Sequence, residues 1–551
     1  MKRFLAMLLA LCMLFALAAC GTKNTAPAEE AAPVEEAAPA EEAAPAEEAA
    51  PAEESGIKRG GNLTLRRVGI TPINPTTCIA PAGDMMTYSL FFETLTWLNE
   101  DDFTAQPNLA TEWKWSDDNL HLDLTLVENA FFFDGSPVNA EAVKATFEFY
   151  KDEQYTHSQA SYLANLESVE VVSDTVARFN FSSPDSSFLN AMSQPVGIIL
   201  SPAAIDEFKS SGNAEVFARK GGCGPFILDE FIDGESLTAL KNENYYRIGE
   251  DGQPLPYLDS VTVQIVADES VMAANLQSGD IDVVDFSIDQ TVNETLAGND
   301  EIVLYEIAAK TQYILYMNTT KAPFDNLLVR EALNYAFNRQ ELIDVMAGGN
   351  GFTTPTIVLP SQTFYRDGKQ YGYEPETAKA LLAEAGYPDG VDIDLYFGTY
   401  GTLQELCELL QAQAKEAGFN ISLQPTDGAT VKQLWASYDE NAPAGIRIND
   451  LGHPKASPYI QMEYTFGPNA LQNCAKYFRP DFQELLAKTS TTTDPAVLDE
   501  TLIQMQAMIE EDIPLVSLYT AARFSAYRTW VEGIRYNGDG TMVFTNVWLN
   551  K

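Results

Sequence analysis

Residues 311–343 place a strand pattern directly before a helix pattern, and this junction constrains the chain more than any other stretch. Tyr313, Ile314, Leu315, Tyr316 and Met317 form an apolar run too short for a helix. Pro323 and Asp325 break the run. Leu327, Leu328, Ala332, Leu333, Tyr335, Ala336 and Phe337 then recur at helical spacing, which turns Arg330, Glu331 and Asn334 outward. A strand feeding a helix is the unit of an α/β layer, and the same order recurs. Residues 258–267 read as a strand, 269–278 as a helix, and a further strand follows Asp282. Residues 391–397, 402–417 and 421–423 repeat strand, helix and strand, with Gly418 stopping the helix. Pro375 opens another helix with Leu381 and Leu382 inward, and residues 494–512 form a long amphipathic one before a strand at 513–519.

The earlier part of the chain is richer in strands. Residues 61–69 read as a strand turned by Ile73-Asn74-Pro75, and 87–98 as a helix. Leu120, Leu122, Leu124 and Leu126 alternate with polar residues, the mark of a half-buried strand. Asn139 is suited to cap a helix that turns Val143, Phe147 and Tyr150 inward. Residues 167–181 form a hairpin turned at Ser173-Asp174, and 196–200 a strand before Ser201-Pro202. Another hairpin turns at Asp233-Gly234.

The first residues are of a different kind. Lys2 and Arg3 precede an apolar run at 4–17, and Leu17-Ala18-Ala19-Cys20 follows, small residues ending in a cysteine. The run is short for a membrane span and fits a cleaved leader of the lipoprotein type. A lipid on Cys20 would supply two acyl chains, enough for stable anchoring at about 0.8 kcal/mol per buried methylene. From Pro27 a Pro-Ala-Glu-Glu-Ala-Ala unit repeats every six residues, with Val34 the one substitution. It cannot form a core, and its prolines interrupt any helix. At about 3.1 Å per residue it makes a tether on the order of 100 Å long.

Of the net charge of −45, −38 falls on residues 57–551, which argues against nucleic acid or an anionic membrane surface as partner. Cys78, Cys223, Cys407 and Cys474 remain after the leader, without metal-ligand spacing. Cys407 lies on the apolar face of its helix; whether Cys78 and Cys223 pair stays open. His121, His157 and His453 are isolated, so the sequence predicts no metal site and no cofactor. Neither a nucleophile elbow, a phosphate loop nor a paired-carboxylate motif emerges, so no enzyme class is supported.

Asn318, Pro323, Phe324, Asp325, Val329, Arg330, Ala332, Leu333, Ala336 and Arg339 resemble a signature of the family 5 extracellular solute-binding proteins of ABC transporters, the oligopeptide, dipeptide and nickel class. Further weak matches follow in order from about 61 to 545. Phe131 to Val138, Gly222-Cys223-Gly224-Pro225-Phe226, Asn242 to Tyr246, Gly279-Asp280-Ile281-Asp282 and Tyr373 to Gly390 are among them. Cys223 stands where the family has Thr, and Tyr246 where it has Trp. The resemblance implies a type II periplasmic-binding-protein-like fold, two α/β lobes joined by crossing strands, with a small α+β domain inserted in the first. The implied division is leader 1–20, tether 21–56, first lobe 57–100, insertion 101–184, first lobe again 185–310, second lobe 311–515, and a return to the first lobe at 516–551.

It also implies a function: a monomeric, non-enzymatic binding protein, lipid-anchored on the extracytoplasmic face of the cell membrane. Such a protein captures peptides between its lobes and passes them to a permease; a nickel chelate, haem or an oligosaccharide is the alternative on the same fold. In peptide-binding members an aspartate in a loop before an acid-Pro pair holds the ligand ammonium. Arg447-Ile448-Asn449-Asp450-Leu451-Gly452-His453-Pro454 fits that spacing, with Asp450 in the aspartate's place and Asn449 beside it. Arg447 replaces an aromatic and His453 an acid, so Arg447 pairs either with a ligand carboxylate or with Asp450. Asp450 has a second reading as a cap of the loop ahead of Pro454. Ile79, Ala80, Tyr400, Trp435 and Tyr519 are the remaining candidate ligand contacts, Trp435 being equally a core residue.

Overall fold

The computed structural model describes residues 56–70, 73–77, 81–101, 103–155, 157–285, 290–360, 362, 364–399, 402–436, 443–452, 458–468, 470, 473–492 and 494–551. The expectations for Cys20, the leader, the repeats, Cys78, Ile79, Ala80, Tyr400, His453 and Pro454 lie outside the described residues. Asp450 is described by its backbone.

One large mixed sheet runs through the molecule. Its main strands are β1 (Asn62–Arg67), β2 (Phe226–Ile232), β3 (Ser236–Lys241), β4 (Ser260–Ile265), β5 (Val283–Val284), β6 (Ile302–Met317), β7 (Val391–Gly398), β8 (Phe419–Thr426), β9 (Ile446–Gly452) and β10 (Leu515–Arg528). Their order is β8-β7-β9-β6-β10-β5-β1-β4-β3-β2. β1 is parallel to both β4 and β5, so β4, the helix Glu269–Ser278 and β5 form the expected parallel crossover. The helix begins at Asp268, whose side chain accepts from the Val271 amide, and ends at Gly279 in the left-handed region. β7 is parallel to β8 and β9, which gives the other lobe its own α/β unit.

β6 and β10 belong to both halves. Ile302 to Ile307 pair with Arg528 to Arg523, and Thr311 to Tyr316 pair with Ala521 to Leu515. The register slips between these stretches, so residues 308–310 stand against Ala522 alone, and the sheet has a waist there. Beyond the waist, side chains alternate between faces as the pleat requires. Leu315 and Met317 enter one core with Leu333, Leu395 and Leu406; Ile314 and Tyr316 enter another with Trp435, Met462 and Phe482. Before the waist, β1, β4 and β3 share a core with a separate four-stranded sheet, Ala110–Trp115, His121–Leu126, Val176–Phe181 and Leu166–Ser173 in that order. The helix Ala140–Tyr150 packs into that core and is capped by Asn139, whose side chain accepts from the Ala142 amide.

Several local expectations are corrected. Residues 87–98 are not one helix: Pro81–Phe91 is helical and Thr96–Leu98 is a strand. Residues 195–197 form a 3-10 turn rather than the start of a strand. Arg330 and Asn334 do not face solvent. Arg330 is buried and donates to the carbonyls of Phe324 (2.7 Å), Asp512 (2.7 Å) and Ile513 (3.1 Å). It thus holds the corner where the helix Pro495–Asp512 turns into β10, with Ile513 at φ 48°, an uncommon conformation for a β-branched residue. Leu327 is exposed instead. β6 is also far longer than its apolar run, because Glu306 and Lys310 interrupt the pattern upstream.

Candidate functional site

The waist brings together the carboxyl ends of β1, β5 and β9, which is where an open α/β sheet offers a ligand its crevice. On the first-lobe side, Arg67 ends β1 and Asp285 follows β5. Arg67 Nε lies 3.5 Å from Asp285 Oδ2, and its Nη1 donates to Thr87 Oγ1 at 3.1 Å. Arg66 is fully buried and approaches the other oxygen of Asp285 at 3.7 Å, while its Nη2 donates to Glu269 Oε1 at 3.2 Å. Arg523 on β10 is the next cation. Burial lowers its guanidinium, and the nearby Asp285, Tyr313 and Asp539 oppose that shift. Burial raises Asp539, opposed by hydrogen bonds from Thr541 and Gln194 and by the charge of Arg523. A carboxylate is thus shared among arginines, which leaves this wall both charged and rich in donors.

On the second-lobe side, the register of β9 on β6 sets Asp450 opposite Tyr313, Asn449 opposite Ile314 and Arg447 opposite Tyr316. Tyr313 stacks on Tyr519 of β10, centroids 4.7 Å apart and planes 18° from parallel. Tyr519 is 2% exposed, and burial pushes its hydroxyl well up. Arg447, Asn449 and Asp450 therefore stand on a strand, not in the expected loop. Arg447 is 1% exposed; its Nη2 donates to Asn449 Oδ1 at 3.3 Å and its Nη1 to Cys474 Sγ at 2.8 Å.

Trp435 is fully buried among the second-lobe core residues, edge-on to Tyr396 at 5.9 Å. Sequence reasoning missed Arg67 and Arg523. Their signals were faint: one of two adjacent arginines ending a strand must face inward, and an arginine inside an apolar return strand needs a reason. Among the described residues no group of three His, Cys, Asp or Glu side chains is placed to hold a metal ion. Cys223 is buried and free.

The profile of the bacterial extracellular solute-binding proteins, family 5 Middle, matches residues 104–469. The glutathione-binding protein GsiB of Escherichia coli O1:K1 / APEC is 29% identical over 429 residues, which cover 76% of this chain and 81% of that protein. Among solved structures, Helicobacter pylori DppA in complex with the peptide STSA superposes with a TM-score of 0.73 at 23% identity, covering 90% of this chain and 99% of that one. HbpA2 from Haemophilus parasuis gives 0.78 at 21% identity over 89% and 100%. These likenesses establish the type II periplasmic-binding-protein fold. The chain belongs to the family 5 bacterial extracellular solute-binding proteins, the substrate-binding components of ABC transporters rather than enzymes.

Proposed function

We propose that this chain captures peptides at the waist between its lobes and delivers them to its permease from a lipid anchor on Cys20. The observation that carries the reading is the register of β9, which sets Asp450 opposite Tyr313, beside the Tyr313–Tyr519 stack. A peptide ammonium held there needs a carboxylate, because an uncompensated buried charge is very costly. Arg67 and Arg523 stand on the facing wall for ligand carboxylate or carbonyl groups. A relative named for glutathione and a fold neighbour solved with the peptide STSA support a peptide ligand. In this reading residues 57–100, 185–310 and 516–551 act as one jaw and 311–515 as the other, with 101–184 set on the first.

Thermal unfolding against di- to hexapeptides, oligosaccharides, haem and nickel chelates tests it, since a ligand of the native state raises the midpoint. The reading expects the largest shifts from peptides with a free amino terminus. A shift from a sugar, haem or a chelate with none from any peptide contradicts it.

A further inference from the structure

Behind β9, on the face away from Leu315 and Met317, lies a set of buried polar side chains, several of whose atoms have no hydrogen-bond partner. Tyr396, Arg447 and Tyr316 form a lateral row across β7, β9 and β6. The helix Pro458–Phe466 supplies Gln461 and Thr465, one turn apart on one face, with Thr465 beside the Tyr316 hydroxyl. Arg447 Nε, Trp435 Nε1 and both amide atoms of Gln461 are buried without a hydrogen-bond partner. Gln461 is 4% exposed. Among the described residues the acceptors of Arg447 are the Cys474 thiol and the Asn449 amide oxygen, neither of them a carboxylate. A second cation, Lys476, is buried beside it and donates to the Trp435 carbonyl; burial lowers its amino group, and the charge of Arg447 lowers it further.

A fold normally satisfies such groups, and an unpaired buried guanidinium is among the most costly things it can contain. The unsatisfied atoms are mainly donors. We propose that Arg447, with Trp435 and Gln461, forms an anion subsite inside the second lobe that takes a carboxylate of the ligand. The subsite deepens the peptide reading and rests on it for the identity of the ligand. It makes the preferred ligand acidic, through either an acidic side chain or the free carboxyl terminus. It also accounts for an arginine at a position where the family pattern has an aromatic ring: a ring would fill the space, whereas the guanidinium requires a counter-ion.

Calorimetry with the tripeptides Ala-Glu-Ala, Ala-Gln-Ala and Ala-Glu-Ala-amide tests this on the wild-type chain and on Arg447→Met and Arg447→Lys. Losing a charged hydrogen-bond partner in the wild type is expected to weaken binding by about tenfold or more. Loss with Ala-Gln-Ala identifies the side chain as the source, and loss with the amide identifies the terminus. Arg447→Met is expected to erase the preference and Arg447→Lys to keep part of it. The thermal midpoint of ligand-free Arg447→Met is expected to equal or exceed wild type, which shows that the variant folds. Equal affinities for all three peptides in the wild type, or a preference that survives in Arg447→Met, overturns the proposal. If none of the tripeptides binds, the peptide reading fails on its own, and glutarate and inorganic phosphate read the subsite directly. A midpoint rise with either anion in the wild type and none in Arg447→Met supports it, and no rise in the wild type overturns it.

Discussion

Tyr313 and Tyr519 are directly opposite each other on the two strands that join the lobes, and their rings stack at 4.7 Å. A register slip flanks the pair on each side, at 308–310 and between Tyr313 and Ile314. Removing the Tyr519 ring deletes a buried aromatic, so Tyr519→Ala is expected to cost about 3 kcal/mol in urea unfolding. Tyr313→Phe keeps the stack and is expected to cost less than about 1 kcal/mol.

The placement of the slip predicts that the lobes rotate about 307–311 and 521–523, since a hinge needs few residues to absorb the motion. Small-angle scattering with a saturating ligand is expected to show a smaller radius of gyration than the free chain. An unchanged radius would mean that the waist is rigid.

Arg330 is expected to be structural rather than functional. Its three carbonyl partners belong to the loop before its own helix and to the corner at Ile513. Arg330→Met leaves these acceptors unsatisfied, and a loss of about 3 kcal/mol is expected from chemical denaturation. Affinity measured well below the new midpoint is expected to stay unchanged.

His157 gives a pH dependence with a defined sign. It is 1% exposed, its Nδ1 accepts from the Gln159 amide at 3.0 Å, and burial holds its pKa down to about 4. The folded state therefore prefers neutral imidazole, and the unfolded chain takes up the proton first. The contribution of His157 is full above about pH 6.5, declines as pH falls, and is lost near pH 4, amounting to about 3 kcal/mol. Comparing unfolding free energies of wild type and His157→Gln across pH 4–7 is expected to show a shallower slope in the variant. Parallel slopes would mean that the imidazole is protonated in the folded state.

The elements legible in the sequence were those set by local rules. Asn139 opened its helix as a cap, and the hairpin at Asp233-Gly234 formed where its turn residues stood. The misreadings came from tertiary context. Arg330 and Asn334 occupy helical positions that look exposed by periodicity, yet both are buried, Arg330 against the corner at Ile513 and Asn334 against Arg339. β9 reads as a loop because Asn449, Asp450 and Gly452 are turn residues, but β6 and β7 offer it ladders on both sides. Arg523 carries only a faint local signal, an arginine within an apolar strand, because its role depends on Asp285 and Asp539, which are distant in sequence.

The Cys20 anchor is checked separately from the binding site. Labelled palmitate is expected to enter the wild-type chain in cells and not Cys20→Ser, while both bind peptide alike after detergent extraction. Equal incorporation would end the anchor assignment.

The most direct test of peptide capture at the waist is a calorimetric cycle on Asp450. The wild type and Asp450→Asn are each titrated with a peptide and with its N-acetylated form. If the carboxylate holds the peptide ammonium, breaking that pair costs roughly 3–5 kcal/mol. Affinity of the variant for free peptide is then expected to fall by at least about a hundredfold, with little further loss for the acetylated form. Additive losses around the cycle would contradict the assignment, because they would show that Asp450 and the amino terminus do not meet.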